Sequence, residues 1–141
     1  MTTIDTVDTS VAVPLMASWH ESHDLVRAAL RGRAPRIGAH VAVETFSVLT
    51  RLPAQRRISP SDAWALLRSG FDGSWLALPA PGHRLLVERL SEAGVGGGAV
   101  YDGLVAATAV HHRARLISLD RRAQAVYERL GVEVELLRES V

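Results

Sequence analysis

The hydrophobic positions of the chain fall into short apolar runs of strand length and longer segments with helical spacing. The short runs predict β-strands at residues 4–7, 36–39, 75–78, 115–119 and 132–137. The longer segments predict helices at residues 11–16, 22–31, 40–52, 60–69, 83–93, 100–113 and 121–130. The helix after Ser59 has the clearest start, because a serine cap precedes Pro60 at the first helical position.

Strands and helices alternate along nearly the whole chain, which indicates a parallel sheet with helices on both faces. We therefore predict a three-layer α/β/α fold with a central parallel sheet of about five strands. At 141 residues, with 48% hydrophobic residues, the chain is expected to form a single domain over residues 1–141.

Acidic residues stand where this fold would gather them at one edge of the sheet. Asp8 follows the first predicted strand and Asp120 ends the fourth. Glu44 lies near the start of an apolar helix, and Asp102 lies at the start of the helix that leads back into the fourth strand. The carboxyl ends of parallel strands share an edge with the starts of the helices that follow them, so we expect the four side chains to converge.

Clustered carboxylates predict a site for a hard divalent cation. Ionised carboxylates about 4 Å apart repel each other by about 4 kcal/mol at an effective dielectric constant near 20, unless a cation lies among them. Oxygen ligands suit Mg²⁺ or Mn²⁺, and such an ion equips a site for hydrolysis of a phosphodiester. Taken singly, Asp8, Asp102 and Asp120 could equally cap or start helices. Glu44 is more informative because it interrupts an apolar helix.

The composition excludes several other kinds of protein. The chain has no cysteine, which excludes disulfides, thiolate catalysis and zinc–thiolate sites. No apolar run approaches the roughly 18 residues of a membrane span, and the N-terminus lacks the pattern of a signal peptide, so we expect a cytoplasmic protein. All 16 cationic residues are arginine. The absence of lysine argues against receiver domains and haloacid-dehalogenase phosphatases, which both gather acids at a sheet edge but need a lysine there.

The segments DTSV, YDGLVAATA and LISLDRR, together with the glutamate in the apolar helix, resemble the successive motifs of PIN-domain ribonucleases. The chain is similar in length and order to the VapC-type toxins of bacterial type II toxin–antitoxin pairs. This resemblance implies an endoribonuclease that depends on Mg²⁺ or Mn²⁺. It also implies a VapB-type antitoxin as partner, an RNA substrate and a homodimer.

The resemblance assigns roles to particular residues. Asp8 and Asp102 correspond to the main metal ligands, while Glu44 and Asp120 would complete the site through water or a second ion. Thr9, Ser10 and Ser118 correspond to supporting polar positions. Apart from the resemblance, Arg113, Arg115 and Arg121 flank the last acidic strand and could hold RNA phosphates. Asp5 begins a second Asp-Thr pair ahead of Asp8, and the sequence does not decide whether Asp5 contributes to the metal site.

Two alternatives share the predicted fold. A housekeeping PIN nuclease that processes RNA would use the same chemistry, and a PIN-like module without activity would only bind RNA or protein. The presence of all four acids favours an enzyme over the silent module.

Overall fold

The computed structural model describes residues 3–138, in which a parallel β-sheet is flanked by helices. The strands are Ile4–Val7 (β1), Arg36–Ile37 (β2), Ala114–Ser118 (β3) and Val134–Leu136 (β4). The helices are Thr9–Met16 (α1), His23–Ala29 (α2), Ala39–Thr50 (α3), Pro60–Gly70 (α4), Ala80–Ala93 (α5), Ala99–His111 (α6) and Gln124–Arg129 (α7). The predicted alternation of strands and helices is therefore confirmed.

The strand order of the sheet is β2-β1-β3-β4, and every neighbouring pair is parallel. The chain leaves β1 toward β2 on one side, whereas β3 pairs with β1 on the other side. This reversal places a topological switch point between β1 and β3, which is where open α/β sheets form a crevice for ligands.

The sheet has four strands in the described residues, one fewer than predicted. The predicted strand at 75–78 is reduced to a single bridge, in which Leu76 pairs with Gly38 beside β2. Leu76 donates its N–H to the Ile37 carbonyl at 2.9 Å and accepts from the Ala39 N–H at 2.8 Å. The pairing stops there because α3 begins at Ala39 on one side and the Pro79 region leads into α5 on the other.

The core is built mainly around the two central strands. Val7, Leu116 and Ile117 are fully buried, and Val11 of α1 packs in the same cluster. Because β1 and β3 are anchored on both faces, the residues that follow them leave the sheet from a rigid base. Within residues 3–138, no helix combines the length and hydrophobicity needed to cross a membrane.

An ion-pair network joins β1, β3 and β4 away from the strand ends that carry Asp8 and Asp120. The Arg33 guanidinium donates to Asp5 at 3.0 Å and to both Glu135 oxygens at 3.0 and 3.1 Å, and Arg115 lies 3.2 Å from Asp5. Burial acts to raise the pKa of Asp5, but the hydrogen bonds and charges of Arg33 and Arg115 outweigh it and lower that pKa. The hydrogen bond from Arg33 is also the main cause that lowers the pKa of Glu135. Asp5 is thus a structural acid in this fold.

We expect Arg33→Met to lower the free energy of unfolding by about 2 kcal/mol at neutral pH, because it removes charge-assisted hydrogen bonds from two carboxylates. A carboxylate with a lowered folded-state pKa stabilises the fold above its unfolded pKa, and that contribution is lost as the pH falls through the folded value. The difference from wild type should therefore shrink as the pH drops below 3.8, the ordinary pKa of Asp5. Urea denaturation across pH measures this, with Arg122→Met as control, since the Arg122 side chain is 97% exposed. Equal losses in both variants would contradict the prediction.

Candidate active site

The acids converge at the switch point between the two central strands. Asp8 directly follows β1, and Asp120 lies two residues after the end of β3. The first turn of α6 brings Asp102 to the same edge, and Glu44 reaches it from the second turn of α3. All four side chains line one pocket of about 400 Å³. The other residues that line it are Thr9, Ser10, His40, Arg51, Gly98, Tyr101, Val105 and Tyr127.

Asp8 is the most enclosed of the four acids, at 4% exposure. It precedes α1 in the capping position, yet its side chain makes no capping hydrogen bond to that helix. Its two oxygens instead accept hydrogen bonds from the hydroxyls of Ser10, Ser118 and Tyr127, the last at 2.8 Å. Burial raises the pKa of Asp8 above its usual value, and the three hydroxyl donors only partly counter that effect. Helix capping therefore does not explain Asp8.

Tyr127 is a site residue that the sequence pattern does not reveal. It is 1% exposed on α7, and its hydroxyl reaches Asp8 across 119 positions of sequence. Burial and the nearby charge of Asp8 raise the pKa of this phenol, so it remains a hydrogen-bond donor. The available signal is a general one, since a buried tyrosine hydroxyl needs a polar partner.

We expect Tyr127→Phe to destabilise the protein by about 2 kcal/mol at neutral pH, because a buried carboxylate loses one of its donors. Tyr101→Phe provides the matched control, since Tyr101 is 58% exposed and its hydroxyl deletion should change stability little. Urea denaturation in EDTA compares the two variants without bound metal. If the two substitutions have the same effect, the Tyr127 hydroxyl does not stabilise Asp8.

Two serines tie the ends of β1 and β3 together. Ser10 accepts a hydrogen bond from the Leu119 N–H at 2.9 Å while its hydroxyl donates to Asp8. Ser118 donates to the other Asp8 oxygen and accepts from the Asp120 N–H at 3.0 Å. These bonds fix the spacing between Asp8 and the loop that holds Asp120.

The pKa of Asp102 responds to the other three acids of the pocket. Burial is the main cause that raises its pKa, followed by the charges of Asp120, Asp8 and Glu44. Asp120 lines the pocket, and its Oδ1 also accepts hydrogen bonds from the backbone N–H groups of Arg122 and Ala123 at 3.0 and 3.3 Å. The Asp102 carboxyl therefore lies near three other acids, and Asp120 also caps the turn before α7.

Glu44 lies on a polar stripe of α3. The His40 Nε2 atom is 3.3 Å from its Oε2, one turn earlier on the helix. Arg51 lies seven residues after Glu44, so two helical turns bring its side chain to the same pocket. The spacing of His40, Glu44 and Arg51 is visible in the sequence, and it is the signal that could have added the histidine and the arginine to the predicted site.

The three arginines predicted to hold phosphates lie in different places. Arg121 directly follows Asp120 and is exposed at the same edge of the sheet. Arg113 follows α6 at its far end, and a helix of 13 residues separates that end from the acids by about 20 Å. Arg115 is bound to the carboxylates of Asp5 and Glu135. None of these three arginines lines the pocket itself, whereas the unpredicted Arg51 does.

The donors in the pocket suit a hard divalent cation in type and charge. All four acids offer oxygen atoms, and the mutual repulsion that raises the pKa of Asp102 is what a cation would relieve. Across residues 3–138, however, no group of three Asp, Glu or His side chains is placed so that it could coordinate a metal ion. Among the described residues, the four acids thus line one pocket without forming a group that is already arranged to hold an ion.

Comparison with known proteins identifies relatives that cover nearly the whole chain. The family model described as "PIN domain" matches residues 6–129. The chain is 48% identical over 130 residues to Ribonuclease VapC40 of Mycobacterium tuberculosis, covering 92% of this chain and 96% of that protein. It is 44% identical over 128 residues to Ribonuclease VapC27 of the same organism, covering 91% and 93% of the two chains.

Solved structures share the fold at lower identity. FitAcB from Neisseria gonorrhoeae matches with a TM-score of 0.69 and 18% identity, covering 93% of this chain and 96% of that chain. VapBC2 from Rickettsia felis, bound to a DNA fragment from its promoter, matches with a TM-score of 0.67 and 14% identity, covering 96% and 99%. Because the family model matches residues 6–129, which is most of the chain, the protein belongs to the PIN domain family.

Proposed function

We propose that this protein is an endoribonuclease dependent on Mg²⁺ or Mn²⁺, and the toxin of a toxin–antitoxin pair. The observation that carries the proposal is the pocket in which Asp8, Glu44, Asp102 and Asp120 meet at the switch point of the sheet. The high identity to two proteins named ribonucleases, along nearly their whole length, supports RNA as the substrate.

In this proposal Asp8 and Asp102 are the main ligands of the cation, and Glu44 and Asp120 complete the site through water or a second ion. A cation held by these residues would supply an activated water and would stabilise the charge that develops on the phosphate. The side chains of the protein would orient the metal ligands and bind the RNA backbone.

The hydroxyls around Asp8 hold its carboxylate in one orientation. Ser10 donates to one oxygen, while Ser118 and Tyr127 donate to the other. A ligand fixed in this way loses little freedom when it binds a cation, which favours a preorganised site. Thr9 lines the same wall at the first position of α1.

Cationic side chains near the pocket would receive the RNA backbone. Arg51 lines the pocket on the α3 side, and Arg121 stands next to Asp120 on the β3 side. A guanidinium binds phosphate oxygens in a bidentate manner and retains its charge at all physiological pH values. Arg51 and Arg121 are therefore proposed as the contacts to phosphates that flank the cleaved bond.

The proposal includes a VapB-type antitoxin, a homodimer and action in the cytoplasm by a single PIN domain over residues 1–141. The support is the similarity to VapC proteins, together with the fold shared with VapBC2. Expression in a bacterial host should stop growth, and co-expression of a small reading frame adjacent to the gene should restore it.

The enzymatic part is tested by incubating purified, antitoxin-free protein with total cellular RNA in Mg²⁺, in Mn²⁺ and in EDTA. We expect discrete fragments that disappear in EDTA. Cleavage without growth arrest would favour a housekeeping PIN nuclease. RNA binding without cleavage under any metal would favour a silent binding module and overturn the enzymatic proposal.

A further inference from the structure

We propose that Tyr101 and His40 form an aromatic shelf that stacks a nucleobase of the RNA beside the bond to be cleaved. This inference rests on the proposed ribonuclease function and adds a determinant of its base preference. Both residues line the acidic pocket, Tyr101 from the first turn of α6 and His40 from the first turn of α3.

The two rings are arranged in advance as a stack. Their centroids are 5.5 Å apart and their planes differ by 6°, which is the offset parallel geometry favoured by aromatic pairs. His40 is held between the Tyr101 ring and Glu44, since its Nε2 lies 3.3 Å from the Glu44 carboxylate. The histidine therefore backs one face of the tyrosine and sets the orientation of its ring.

The tyrosine is mostly exposed, although it is part of the pocket wall. Tyr101 is 58% exposed, more than Trp19, Trp64 or Trp75, and a large ring with this exposure contributes little to the core. With one face covered by His40, the accessible surface of the ring is available to a planar group. A nucleobase has the right shape, and every base can stack on an aromatic side chain, with modest preferences that arise from differences in stacking strength.

The shelf lies beside the acidic residues proposed to act on phosphate, and this position favours RNA over other planar ligands. Tyr101 immediately precedes Asp102 in the sequence, so a base on the shelf would belong to a nucleotide whose phosphate is close to the carboxylates. Arg51 lies in the same pocket and provides a cation for that backbone. Among the described residues, the His40 Nε2 atom is buried and lacks a hydrogen-bond partner of good geometry. Because that atom is enclosed beside Glu44 and the ring is stacked on Tyr101, His40 supports the shelf and the exposed tyrosine ring receives the base.

The test is the affinity of full-length protein for a fluorescent single-stranded RNA 12-mer, measured by anisotropy in EDTA so that cleavage does not interfere. Total-RNA cleavage sites are mapped in parallel with Mg²⁺. We expect Tyr101→Ala to raise Kd about tenfold or more, since stacking of one base contributes roughly 1–3 kcal/mol. It should also relax the base preference next to the cleaved bond. Tyr101→Phe should retain the wild-type Kd and sites, because it keeps the ring.

Two further variants sharpen the result. Tyr101→Leu keeps apolar bulk without an aromatic face and should resemble Tyr101→Ala. Trp64→Leu removes another exposed ring, on α4 and outside the pocket, and should leave RNA binding unchanged. Equal melting temperatures of Tyr101→Ala and wild type establish that a change in Kd is not a loss of folding.

The outcomes separate this inference from the proposed function. If wild type cleaves RNA with metal, and Tyr101→Ala binds with the same Kd and cuts the same sites, the shelf is rejected while the ribonuclease stands. If Tyr101→Ala instead weakens only binding of a co-expressed antitoxin, the shelf is a protein contact and the nucleobase assignment is wrong. If folded wild type neither binds nor cleaves RNA, both proposals fail together.

Discussion

Asp102→Asn is expected to reduce the rate of RNA cleavage by about 10³-fold while leaving the fold intact. The substitution keeps the size of the side chain and removes one of the two carboxylates proposed to bind the cation directly. Losing a single preorganised charge contact at a reacting centre typically costs about 10²- to 10³-fold in rate, and losing a metal ligand also weakens occupancy of the site. Initial rates on a fluorogenic RNA in Mg²⁺ measure the effect.

Asp72→Asn is the matched control, because Asp72 is an exposed aspartate that does not line the pocket. It should cleave at the wild-type rate. Circular dichroism and melting of Asp102→Asn establish that the protein is folded. Cleavage by Asp102→Asn within a few-fold of wild type, at saturating Mg²⁺, would remove Asp102 from the proposed metal site.

The four acids could be predicted because each is tied to the end of a regular element. The apolar runs locate β1 and β3 to within one residue, and parallel strands must deliver Asp8 and Asp120 to one edge. Asp102 and Glu44 follow from the direction of the helices that carry them. Topology alone thus places these side chains, without knowledge of their rotamers.

The residues that surround the acids could not be predicted in the same way. Tyr127 meets Asp8 through the tertiary packing of α7 against α6, and no local sequence pattern encodes a contact between residues so far apart in the chain. The sequence also predicted too much structure at residues 75–78. Apolar residues there indicated a strand, but only Leu76 pairs beside β2. Local propensity could not show that the neighbouring β2 spans two residues, Arg36–Ile37, and offers little backbone to pair with.

Sequence also could not separate Asp5 from Asp8, since each begins an Asp-Thr pair. The structure separates them by environment. Asp5 lies between two guanidinium groups that lower its pKa, whereas the side-chain donors to Asp8 within residues 3–138 are neutral hydroxyls and its pKa is raised. A carboxylate that already has cationic partners has little need of a metal ion, while Asp8 has no such partner in the described part of the chain. This contrast favours Asp8 as the ligand.

Addition of Mg²⁺ or Mn²⁺ to the metal-free protein is expected to raise its melting temperature by about 10 °C at neutral pH. An ion at 100 times its Kd stabilises the folded state by about 2.7 kcal/mol, and each kcal/mol shifts the melting temperature of a domain of this size by about 4 °C. Differential scanning fluorimetry against metal concentration measures the shift. In Asp102→Asn the shift should fall to a small fraction of the wild-type value.

The same variant should be more stable than wild type when no metal is present. Burial, and then the charges of Asp120, Asp8 and Glu44, raise the pKa of Asp102 above 3.8. A carboxyl with a raised folded-state pKa contributes stability below its unfolded pKa, and that contribution is lost as the pH rises through the folded value. In EDTA, wild type should therefore melt below Asp102→Asn at neutral pH, and the difference should disappear as the pH falls below 3.8. The Asp5 and Glu135 pairs affect both proteins equally, so they cancel in this comparison. A variant that is less stable than wild type in EDTA, yet still gains the full shift with Mg²⁺, would show that Asp102 supports the fold and does not bind the cation.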